Sequence, residues 1–222
     1  MLTAELQYHA AHLIGALVLL MGFSLLYQRR MASVIRTYSL QAISLAIAAA
    51  GQAFGQDAPA LYVTAVIAGV FKGIAVPMAL GWLVKQLGIH RTVETALGIG
   101  PTMIAGVAMV VLSIVLVLPV TATSTAMTRE NLAISMSVVL LGLLMMITRR
   151  NAVTQVVGFM SLENGLLLGA VSARGMPFVV EISIAFSVLV AMTLFGIFFF
   201  RIRERFDSLD LAYLETFRGG RD

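Results

Sequence analysis

Seven stretches of roughly 20 apolar residues, joined by short polar connections, constrain this chain more than any other feature. They run over about 8–28, 33–51, 59–84, 97–120, 131–148, 152–173 and 177–200. An α-helix rises about 1.5 Å per residue, so about 20 apolar residues cross the ~30 Å hydrocarbon core of a bilayer. The second run is the weakest, because Arg36 and Gln41 fall inside it. Only 12% of the residues are charged and 59% are apolar, with a mean hydropathy of +0.96. Soluble domains carry about 25% charged residues, and a core of this length could not hide so much apolar surface from water. The expectation is an all-α membrane protein of about seven transmembrane helices, built as a single domain over 1–222 in a multi-pass plasma-membrane location. The first apolar run is followed by Arg29-Arg30 and not by a small-residue cleavage site, so it reads as a span and not as a cleaved leader.

Basic residues set the expected orientation, because short cytoplasmic loops are enriched in them. Arg29, Arg30, Arg36, Lys85, Arg91, Arg149, Arg150, Arg201, Arg203, Arg205, Arg218 and Arg221 fall on one side. Arg129 and Arg174 fall on the other, and Lys72 lies within a span. The alternation works with seven helices and fails with six or eight. It predicts an N-terminus outside and a C-terminal tail in the cytoplasm.

A faint internal repeat accompanies this pattern. Val138 to Gly142 with Arg149-Arg150-Asn151-Ala152 echoes Val18 to Gly22 with Arg29-Arg30-Met31-Ala32. Both copies start on the same side, which suggests a 3+1+3 parallel repeat. It divides the chain into a three-helix half (1–96), a connecting helix (97–120), a second three-helix half (131–201) and a tail (202–222). Chance similarity among apolar helices that end in Arg-Arg explains the echo equally well.

Ionisable groups at membrane depth are costly and are functional candidates by default. Glu163 lies near the centre of the sixth span and Lys72 near the centre of the third. Burial opposes the charge of each, and proximity would stabilise both charges. Gly165 beside Glu163 leaves room for a neighbouring helix or water. Glu181, in the outer part of the last span, reads either as an interfacial carboxylate or as a further pathway group. Gln41 and Arg36 read as packing contacts or as a polar track. Pro77 should distort the third helix one turn past Lys72 and free a carbonyl. Trp82 reads as an interface anchor.

Other chemistry finds little support. The chain has no cysteine, which excludes thiolate metal sites and cysteine nucleophiles in this chain. His9 and His12 share a helix face, but no third ligand is near them in sequence, and His90 falls in a loop with Arg91 and Glu94. Neither a metal nor another cofactor is expected in this chain. Phosphate-loop, Gly-x-Ser-x-Gly and His-Glu-x-x-His patterns are absent. The basic residues flank spans, so they read as topology determinants and not as a nucleic-acid footprint. A retinal-type pump needs a lysine in the last span, and that span has none.

One stretch carries a family resemblance. Residues 136–170 hold an apolar helix, the loop Arg149-Arg150-Asn151, and a helix with Gly158-Phe159-Met160-Ser161-Leu162-Glu163-Asn164. This resembles the small K-type subunit of complex I and the similar C subunits of multisubunit sodium/proton antiporters. With the chain's length and the tail Phe206-Asp207-Ser208-Leu209-Asp210-Leu211, the whole resembles hydrogenase-4 component E of formate hydrogenlyase-type complexes. The resemblance implies a non-catalytic membrane-arm subunit of a proton-translocating redox complex. Its partners would be antiporter-like membrane subunits and hydrogenase-type redox subunits. It also implies that Glu163 matches the family's proton-pathway glutamate. The family's second glutamate would stand near Leu189, which is apolar, so Glu181 or Lys72 would have to substitute. An independent secondary transporter, or a component of a multisubunit cation/proton antiporter, is the alternative.

Overall fold

The computed structural model describes residues 2–56, 59–86, 96–121 and 126–172, with isolated positions 93 and 196. The seventh apolar run, the tail, Glu181, Leu189, His90 and Arg174 lie outside the described residues. Among those described, the regular structure is entirely helical. The elements are α1 (Leu2–Tyr27), α2 (Met31–Gln56), α3 (Pro59–Val66), a π-helical segment (Ile67–Ala75), α4 (Val76–Gln86), α5 (Ile99–Val120), α6 (Ala126–Thr148) and α7 (Ala152–Ser172). Five segments are long and apolar enough to cross a bilayer: His9–Tyr27, Met31–Gly55, Leu61–Gln86, Ile99–Val120 and Thr128–Thr148. α7, of 21 residues, is the most enclosed helix, with 14 of them buried.

α2 occupies the middle, packed against α1, the α3–π–α4 segment and α7. α6 packs most intimately on α7, and α5 lies outside α1 and α6. In lipid, helices gain little from the hydrophobic effect when they meet, so close van der Waals packing across small residues holds them. Gly142, Gly158 and Gly165 supply it at the α6–α7 contact. A Cβ on Gly165 would stand 2.7 Å from the Val139 amide nitrogen, and one on Gly142 would stand 2.8 Å from the Gly158 carbonyl. Both distances are sub-contact against backbone, so neither site tolerates a side chain.

The short loop between α6 and α7 is held by its own polar groups. Helix ends leave backbone carbonyls and amides unbonded. Nη2 of Arg149 donates to the carbonyls of Leu25 (2.9 Å), Leu26 (2.7 Å) and Gln28 (3.1 Å) at the end of α1. Asn151 caps α7 through its Oδ1, which accepts from the Val153 amide at 2.9 Å. Desolvation pulls the Arg149 guanidinium below its ordinary value, but an arginine remains charged after such a shift. Arg149 is therefore buried inside the protein, whereas Arg150 is exposed.

The buried apolar residues form two clusters, one toward each end of the helices. The cluster nearer the Arg149 loop gathers Leu26, Val34, Leu80, Met145 and Met160 among others. The opposite cluster gathers Val18, Leu45, Ala65, Val138 and Leu168 among others. A polar layer lies between them.

Candidate proton-transfer site

Lys72 and Glu163 meet in that layer. Lys72 Nζ stands 3.1 Å from Glu163 Oε1, and the two side chains are 1% and 2% exposed. Each comes from the middle of its helix. Glu163 is 11 residues into α7, about 16 Å from its start. Lys72 is 13 residues from the start of α3 and 14 from the end of α4.

The backbone around Lys72 is unusual. Ile67–Ala75 is π-helical, with the Val76 amide bonded to the Phe71 carbonyl. Such segments are rare and cluster at functional sites. Pro77 lies just beyond it. In an α-helix the amide of residue 77 would bond to the carbonyl of Gly73, but proline has no N–H. The Ser39 hydroxyl of α2 donates to that Gly73 carbonyl instead. The distortion expected of Pro77 is thus found upstream, as a widened turn pinned by α2. Gly73 allows the approach, since a Cβ there would stand 3.0 Å from Ile43 Cγ1.

Gln41 and Asn164 extend the layer. Asn164 Nδ2 donates to Gln41 Oε1 at 3.4 Å, and Gln41 Nε2 donates to the Val18 carbonyl at 3.3 Å. The chain of bonds crosses from α7 through α2 to α1. Gln41 and Asn164 are both fully buried. Tyr38, one turn before Gln41 on α2, is also fully buried and lies within electrostatic reach of the Glu163 carboxylate. Tyr38 Oη, Ser161 Oγ and Asn164 Oδ1 have no hydrogen-bond partner among the described residues. Buried polar groups normally find one, so this interior is polar enough to hold water.

The sequence-derived candidates therefore separate. Lys72, Glu163 and Gln41 share one buried layer, and Glu181 lies outside the described residues. Arg36 is exposed on α2 and takes no part. Gly165 admits a helix: α6, not water, fills the space beside it. Trp82 is exposed near the end of α4, as an interface residue would be. His12 pairs with Glu130 (Nε2–Oε2, 3.3 Å) near the far end of α1. No group of three metal-ligating side chains occurs among the described residues.

Sequence reading missed Tyr38, Ser39 and Asn164. The signal for Tyr38 was its i, i+3 spacing to Gln41, which puts both on one face of α2. Asn164 was adjacent to Glu163 but was not paired with Gln41.

The chain matches no family model and no solved structure. It is 24% identical over 206 residues to a protein of Mycobacterium tuberculosis (strain ATCC 25618 / H37Rv) named "Uncharacterized protein Rv0085". The match covers 92% of this chain and 93% of that one. The similarity thus runs the length of both chains, the polar-layer helices included.

Proposed function

We propose that this chain is a non-catalytic membrane-arm subunit of a proton-translocating redox complex of the group 4 nickel–iron hydrogenase or complex I-like type. In this reading the Lys72–Glu163 pair is a station in its transmembrane proton pathway. The observation that carries the reading is a fully buried ion pair at mid-helix depth, among polar side chains and between two apolar clusters. Charges in such a place are costly and are by default candidates for ion or proton pathways. Protonating Glu163 cancels one charge and leaves Lys72 uncompensated, so a proton's arrival favours movement of α7 against the π-helical segment. The apolar clusters at either end restrict the proton's passage to occasions when water or a rearrangement bridges them.

Redox chemistry and its metal centres belong to other subunits, and this chain binds no cofactor of its own. Its partners are antiporter-like membrane subunits and hydrogenase-type or related redox subunits. The chain spans the plasma membrane seven times, with its N-terminus outside.

Association tests this assignment. Purified alone in mild detergent, the chain should show no catalysis, and co-expressed with antiporter-like membrane subunits it should co-purify with them. Robust ion or solute uptake by the single chain in liposomes would contradict the subunit reading and favour an independent transporter.

A further inference from the structure

Away from the ion pair, α1, α5 and α6 enclose a groove of about 290 Å³. Its walls are Leu19, Val110, Ile114, Val117, Leu118 and Ile134, and His12, Arg129 and Glu130 stand at its mouth. The Ser137 hydroxyl also lines the groove. It donates to the Ala133 carbonyl at 2.7 Å and lies 2.7 Å from Ser113 Oγ. Its proton is donated inside the protein, so below the charged mouth the groove offers little for water to bond. A buried water needs about two to four polar partners, which makes water a poor occupant.

The dimensions match a lipid chain. From Arg129 to Ser137 is eight residues of α6, about 12 Å. One leaflet contributes about half of the ~30 Å hydrocarbon core. α5 has only 11% of its span buried, so the groove opens sideways toward the bilayer. At the mouth Arg129 stands beside the His12–Glu130 pair, in which the carboxylate lies 3.3 Å from the imidazole. Arg129 Nε donates to the Thr121 carbonyl at 3.3 Å, which fixes the guanidinium at the rim, and a guanidinium suits phosphate oxygens geometrically.

We propose that this groove binds one phospholipid, with an acyl chain between α5 and α6 and its phosphate at Arg129. The site is independent of the proton-pathway reading. The test adds phosphatidylethanolamine to the purified, delipidated chain in detergent and counts adducts by native mass spectrometry. The native chain should retain one phospholipid at concentrations where further adducts are lost. Ala133→Phe fills the groove and should reduce retention about tenfold or more, because most of the affinity comes from buried methylenes. Arg129→Gln should reduce it several-fold. Ile114→Phe, at a half-exposed position of α5, repeats the groove-filling test from the opposite wall. Equal retention in all variants, no specific adduct in the native chain, or displacement of the lipid by inorganic phosphate alone would overturn the proposal.

Discussion

Among the described residues Lys72 and Glu163 form an ion pair only with each other, and their coupling is measurable. Lys72→Met leaves a carboxylate without its counter-charge. Breaking a buried pair in this way typically costs about 3–5 kcal/mol. The variant should unfold earlier than the native chain in a detergent titration by an amount of that order, and adding Glu163→Gln should restore most of the loss. If Lys72→Met were as stable as the native chain, Glu163 would be held neutral and the ion pair would not describe the resting site. Residue chemistry also marks the limit of sequence reading. Glu163 and Lys72 stood out because charge is rare in apolar runs. Arg149 was counted with the topology determinants, and nothing local shows that its guanidinium reaches the end of α1, more than 120 positions away in the chain. The partnership of Gln41 with Asn164 was hidden for the same reason.

Among the elements, the five described spans were legible because apolar length is a property of consecutive residues. The described helix ends fall within a few residues of the expected ones, except that α1 begins at Leu2, α6 begins at Ala126 and α2 runs on to Gln56. What was not legible was how the helices meet. Gly142 and Gly158 read as ordinary membrane glycines in sequence and Gly165 as room for a helix or water, and only their mutual placement makes them a backbone-to-backbone contact. The same holds for the π-helical turn: Pro77 pointed to a distortion, but its position depended on Ser39 of another helix. Gly165→Leu should therefore separate α6 from α7 and displace Glu163 with it. Thermal unfolding in detergent should fall by several degrees or more, and cysteines paired across α6 and α7 should lose their cross-linking. Unchanged stability and cross-linking would mean that α7 is held mainly by α2.

At the scale of the molecule, the arrangement is an apolar bundle with one polar layer. The exposed apolar surface of α5 needs no partner in a bilayer, whereas buried charges are costly there and are functional candidates by default. The proposed seven-span topology makes its own prediction. Single cysteines placed at Gly88 and Glu215 should react with an impermeant reagent only from the cytoplasmic side, and one at Thr125 only from outside. A residue 215 reachable from outside would overturn the odd number of spans.

The proton-pathway role of the buried pair is tested most directly in the assembled complex, reconstituted in liposomes, with proton uptake measured against redox turnover. Glutamine keeps the volume of Glu163 and much of its hydrogen bonding but cannot ionise. Glu163→Gln leaves Lys72 without its counter-charge, so it is read both alone and together with Lys72→Met: the assembled complex should lose proton coupling, while Glu163→Asp should retain part of it. Full coupling in an assembled Glu163→Gln complex would contradict the account.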